Sequence, residues 1–115
     1  MIIDESLNRA TLPARVGGAF EVRLPENPTT GFRWAVIQDG RPGCRATGDA
    51  YQPNGARPGA GGEHRWMFVA TKPGRSRIEL VYRRAWDSPS DDSRRFEITI
   101  DVGPSTVSDA GDAPS

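Results

Sequence analysis

Apolar and polar residues alternate one by one along most of this chain, and an apolar stripe at helical spacing is almost absent. At about 19–24, Phe20, Val22 and Leu24 alternate with Glu21 and Arg23, the pattern of a half-buried strand. At about 31–37, Phe32, Trp34 and Val36 share one face. At about 64–70, Trp66 and Phe68 share a face, with Met67 and Val69 on the other. At about 75–83, Ile78, Leu80 and Tyr82 alternate with Glu79, Val81 and Arg83. At about 94–102, Phe96, Ile98, Ile100 and Val102 alternate with Glu97, Thr99 and Asp101. Residues 44–51 form a weaker strand, and a further one is expected at Ile2–Ile3 or near Thr11–Leu12. Phe32, Trp34 and Trp66 take core slots by parity, and no helix beyond a turn is expected.

Thirteen glycines and ten prolines fall mostly between these runs. Short strands with such punctuation predict an all-β sandwich. The last stretch, 104–115, has no periodicity and few apolar residues, so the domain is placed at 1–103 and the remainder is expected to be a disordered tail. If successive strands reverse direction, as in antiparallel Greek keys, three connections emerge at one end: 25–31, 52–63 and 84–93. Loops gathered on a rigid scaffold are a common seat of binding.

The first of these reads Pro-Glu-Asn-Pro-Thr-Thr-Gly. Pro28 fixes its own φ and pushes Asn27 to extended backbone. Asn27 can bond the loop backbone as an Asx turn does, and Gly31 permits positive φ. With stiff, β-branched Thr29 and Thr30 between them, the loop reads either as a preorganised wedge presenting small hydroxyl side chains or as a well-made turn without a partner. The second holds Gly59-Ala60-Gly61-Gly62, which lacks the lysine and following helix of a phosphate loop. Its backbone could pair with an extended peptide, or it is a plain connector. The third holds Trp86, which has no apolar neighbour on its period: an interface anchor, or a ring folded back over the sandwich end.

Composition narrows the classes. The 115 residues suffice for one domain and one core. Fifteen Lys+Arg against fifteen Asp+Glu give no basic surplus for nucleic acid. No run approaches the roughly 18 apolar residues of a membrane span. Cys44 is the only cysteine, so no internal disulfide forms; it reads as a small core hydrophobe. One cysteine and one histidine leave no usual zinc site, and no cofactor is expected. Carboxylates are scattered, and His64 has no Ser or Cys beside it, so the chain does not read as an enzyme. No basic and apolar leader opens it, which points to a cytoplasmic location, or to the periplasm or exterior if a leader has been removed.

Taken together, the three loops resemble the chagasin-type inhibitors of papain-like cysteine proteases. The family pattern is N-P-T-T-G-[YF]-x-W, then G-x-G-G, then R-P-[WF]. Asn27-Pro28-Thr29-Thr30-Gly31-Phe32-Arg33-Trp34 matches the first in full and Gly59-Ala60-Gly61-Gly62 the second. Arg84-Ala85-Trp86 matches the third except at Ala85. The resemblance spans about 17–103 and implies an immunoglobulin-like antiparallel β-sandwich with Greek-key connections; the chain itself is expected to be a monomer. It implies that Thr29 and Thr30 cover the catalytic cysteine and histidine of the target. Gly59 to Gly62 would line the non-primed side through their backbone, and Trp86 would pack on the primed side. Arg84 would support that loop or pair with an acidic group of the enzyme. Ala85 in place of proline costs that loop a φ constraint, typically worth about 0.4–1 kcal/mol, and predicts somewhat weaker binding. Arg57-Pro58 before the glycines is more polar than a hydrophobic subsite prefers. The reading from another class is an immunoglobulin-like carbohydrate-binding or adhesion module stacking sugars on Trp86. A third is a structural domain of a larger assembly.

Overall fold

The computed structural model describes residues 1–55, 61–84 and 94–104. Its strands are β1 (Ile2–Ile3), β2 (Thr11–Arg15), β3 (Ala19–Glu26), β4 (Phe32–Asp39), β5 (Cys44–Pro53), β6 (Gly62–Ala70), β7 (Gly74–Arg84) and β8 (Arg94–Gly103). Among the described residues, the only helical pieces are one-turn 3₁₀ segments at Glu5–Leu7 and Pro28–Thr30. One sheet runs β1-β3-β6-β5 and the other β2-β8-β7-β4. The chain crosses between sheets after β1, β2, β3, β4 and β6, and forms hairpins at β5–β6 and β7–β8. This is the immunoglobulin-like sandwich with Greek-key connections that the sequence predicts.

The inward parity predicted for each run becomes the core. Phe20, Val22, Leu24, Trp66 and Phe68 face Ile78, Leu80, Phe96, Ile98 and Ile100 across the two sheets, all buried. Each such side chain contributes about 1.5–3 kcal/mol on leaving water. Phe20 and Phe68, opposite each other in register, stack at 5.3 Å. Cys44 is fully buried; desolvation pushes its thiol pKa up against a hydrogen bond from Ser76, as suits a core residue rather than a nucleophile.

Four features differ from expectation. Both N-terminal candidates form strands, and each pairs parallel, β1 with β3 and β2 with β8, so the sandwich is not antiparallel at those edges. The weak run at 44–51 is a ten-residue strand, exposed after Cys44 because it is the edge of its sheet. Val36 keeps register with Trp34 but does not share the core: it lies on the edge strand of its sheet and is 41% exposed, and the register slips just after it, between Val36 and Gln38. Val81, on the outward parity, is fully buried between Ala35 and Arg95 in the register.

Candidate functional site

The antiparallel pairing of β3 and β5 with β6, and of β4 and β8 with β7, brings the stems of the 27–31, 54–61 and 85–93 connections to one end. Register supplies the contacts there. Phe32 lies opposite Arg84, and Tyr82 opposite both Trp34 and Arg94. The Asn27 amide donates to the Tyr82 hydroxyl at 3.3 Å. The second connection comes alongside: a Cβ built on Gly61 would lie 3.5 Å from the Asn27 Cβ, and the Asn54 amide closes its base on the Gly61 carbonyl at 2.9 Å.

The first loop is folded by its own side chains. Asn27 is extended (φ −124°), Pro28 to Thr30 form one 3₁₀ turn, and Gly31 closes it at φ +84°, a left-handed position that suits glycine. The Asn27 Oδ1 accepts the Thr29 amide at 3.1 Å and the Thr29 hydroxyl at 2.6 Å. The Asn27 carbonyl accepts the Thr30 amide at 3.1 Å and the Thr30 hydroxyl at 2.8 Å. Thr29 and Thr30 are exposed at the apex, but their hydroxyl hydrogens are turned into the loop. A hydroxyl has one hydrogen to give. The tip therefore offers a partner lone pairs, methyl groups and backbone, not free hydroxyl donors.

The other site residues divide. Phe32 is half-buried rather than core: it stacks on Tyr82 at 5.4 Å with the Arg84 guanidinium 5.2 Å from its centroid, linking the stem of the third loop to the wedge. Gly61 is half-buried beside Asn27. Gly62 belongs to β6 and is buried; a Cβ there would meet the Gln52 carbonyl at 2.3 Å and the Tyr51 hydroxyl at 2.6 Å. Glycine at 62 therefore serves the close approach of β5, and it presents no surface to a partner. Gly59, Ala60 and Trp86, with Ala85 and Arg57-Pro58, lie outside the described residues.

Beneath the wedge sits a polar network that sequence reasoning missed. Glu26, 3% exposed, accepts the Trp34 amide on Oε2 at 2.8 Å and faces His64 Nδ1 through Oε1 at 2.8 Å. The Trp34 indole donates to the Pro25 carbonyl at 2.8 Å, and the Tyr51 hydroxyl to the Glu26 carbonyl at 3.3 Å. Both stems of the wedge are thus pinned to each other. The signal was present in part: Glu26 continues the inward parity of Phe20, Val22 and Leu24, and a buried carboxylate demands partners. Among the described residues, no group of acidic, histidine or cysteine side chains is arranged to hold a metal ion.

A rigid sandwich presenting a prefolded, self-bonded loop at its tip, with two further connections beside it, defines a loop-borne protein-binding module of the kind protease inhibitors use. Residues 14–100 match the chagasin family of peptidase inhibitors, I42, and the chain belongs to that family. It is therefore an inhibitor by descent, not an enzyme. Chagasin of Trypanosoma cruzi is 32% identical over 103 residues, covering 85% of this chain and 94% of its own. Amoebiasin-1 of Entamoeba histolytica is 33% identical over 106 residues, covering 89% and 99%. The crystal structure of the cysteine protease inhibitor EhICP2 from Entamoeba histolytica superposes with a TM-score of 0.78 at 20% identity, covering 89% of this chain and 94% of its own.

Proposed function

We propose that this protein is a reversible, tight-binding inhibitor of papain-like cysteine proteases. It would enter the active-site cleft with the 27–31 loop and flank it with the connections before Gly61 and after Arg84. The observation that carries the reading is the Asn27–Gly31 turn, folded before any partner arrives and exposed only at Thr29 and Thr30. A loop already in its bound shape loses little conformational freedom on docking. Thr29 and Thr30 would cover the catalytic pair; Arg84 would act by holding Phe32 and the third loop's stem; Trp86 would be the anchor. An interface of ordinary size, roughly 800 Å² per partner, with one tryptophan anchor supports nanomolar affinity, about −12 kcal/mol. Titration of papain or a cathepsin with the purified protein tests it: stoichiometric loss of activity at nanomolar enzyme is expected. No inhibition at micromolar protein refutes it.

A further inference from the structure

His64 is the chain's single histidine, and both of its ring nitrogens face carboxylates. Nδ1 lies 2.8 Å from Glu26 Oε1 and Nε2 lies 2.6 Å from Asp49 Oδ2. An ionised carboxylate only accepts, and a neutral imidazole has one N–H. Both contacts are satisfied together by the imidazolium. The ring is held flat against Trp66, 4.1 Å between centroids and 4° between planes, with its side chain 15% exposed. It cannot swing away to water without breaking that stack.

The three residues sit on three strands. Glu26 ends β3 and leads into the wedge, Asp49 lies on β5, which leads to Gly61, and His64 stands between them on β6. The other groups around the ring do not neutralise the pair. Tyr51 of β5 meets it edge-on at 6.4 Å and donates to the Glu26 carbonyl. Glu63 and Arg65, its neighbours on β6, pair with each other on the other face. Arg94 of the opposite sheet lines the same shallow hollow as Glu26 and is paired in bidentate fashion with Glu5.

The geometry points to His64 as a positioning residue of the inhibitory tip: as an imidazolium it ties the strand that carries the 54–61 connection to the strand that carries the wedge, so that inhibition tightens on acidification. This rests on the protease-inhibitor reading above. Losing the second proton leaves the Glu26 contact intact and releases Asp49, whose side chain is already 56% exposed. Histidine side chains change charge between about pH 5 and 8. The sign follows: if the tied form binds the protease better, the complex favours the proton, and the inhibition constant falls as pH falls.

The test compares wild type, Asp49→Asn and His64→Gln against papain at pH 5 and pH 8, taking variant-to-wild-type ratios so that the enzyme's own titration cancels. Asp49→Asn should weaken inhibition several-fold at pH 5 and leave it unchanged at pH 8; His64→Gln should flatten the pH dependence. A residue that merely supports the fold would give pH-independent ratios, and that result would overturn the proposal. Independently of any protease, ¹⁵N shifts of the His64 ring in the full chain should show both nitrogens protonated at pH 5. The Asp49, Thr29 and Gly61 amides should move with the same titration. A singly protonated ring at pH 5 would leave only one of the two carboxylates held by a ring N–H and sink the clamp. A wild type that fails to inhibit papain at any pH overturns the functional reading and the acid tightening with it, while the spectra still decide the clamp itself.

Discussion

Asn27→Ala removes the acceptor that folds the wedge while leaving its backbone bonds in place. The Oδ1 atom of Asn27 receives the Thr29 amide at 3.1 Å and the Thr29 hydroxyl at 2.6 Å. Loss of an asparagine cap at the start of a helical turn costs about 0.5–2 kcal/mol. The bonds from Thr30 N to the Asn27 carbonyl and from Gly31 N to the Pro28 carbonyl survive, so the turn loosens without vanishing. A loop that must be reordered on docking subtracts that free energy from affinity. At 1.4 kcal/mol per decade, the inhibition constant against papain should rise about two- to thirty-fold, mainly through faster dissociation. Tight-binding titration gives the constant, and urea unfolding of the free inhibitor gives the accompanying change in stability. Thr29→Val keeps the β-branched shape and deletes only the hydroxyl bond, so it should fall at the low end of the range. An Asn27→Ala protein as tight as wild type refutes the claim that prefolding carries affinity. A loss seen with Thr29→Val alone refutes Asn27 as the organiser.

Three other outcomes follow from the same structure. Gly62→Ala puts a Cβ 2.3 Å from the Gln52 carbonyl; backbone must shift, and stability should fall by about 1–3 kcal/mol in urea unfolding, whereas an unchanged midpoint would disprove the close approach. Cys44 should resist thiol reagents in the folded protein and react fully on unfolding; because burial raises its native pKa, stability should decline as pH climbs above the ordinary thiol range, and Cys44→Ala should remove that decline. Trp86→Ala, at a position read from the sequence alone, should cost about 2 kcal/mol of binding, roughly thirty-fold, as interface anchors do; an unchanged inhibition constant would count against Trp86 as the anchor.

What the sequence made legible was what local chemistry decides. The Asx turn at Asn27, the fixed φ of Pro28 and the positive φ at Gly31 were all readable because each depends on one residue and its neighbours. Inward parity was readable wherever a strand kept its register. It failed where register slipped: between Ala46 and Gly48 the β5–β6 pairing shifts, so Asp49 and Tyr51, odd-numbered after even-numbered Cys44, join the inward set. His64 therefore looked isolated, its partners standing 38 and 15 positions away. Gly62 was read as loop because glycine punctuates loops, yet its strand needs the missing side chain. The direction of the threonine hydroxyls was not readable either, since sequence names a donor but not where its hydrogen goes.

That inward turn of the hydroxyls bears on why such a loop inhibits instead of being cut. A protease must bring a carbonyl of the segment into its oxyanion site on an extended backbone. In the wedge, the Asn27 carbonyl already accepts the Thr30 amide and hydroxyl, and the Pro28 carbonyl accepts the Gly31 amide. Extending the segment breaks these three bonds and the Thr29 amide bond to Asn27 Oδ1. At a net 0.5–1.5 kcal/mol each, the four together oppose cleavage by about 2–6 kcal/mol, roughly thirty-fold to twenty-five-thousand-fold in rate. The pinning of Pro25 and Glu26 to Trp34 adds to this by fixing the loop's two ends. A linear peptide of residues 24–34 has the same bonds to cut and none of this structure. Under identical papain, mass spectrometry should find the peptide cleaved while the folded inhibitor stays intact between Leu24 and Trp34, with Asn27→Ala intermediate. If the folded protein were nicked there as fast as the peptide, the internal bonds would not be what protects it, and the inhibition would have to arise from slow product release instead.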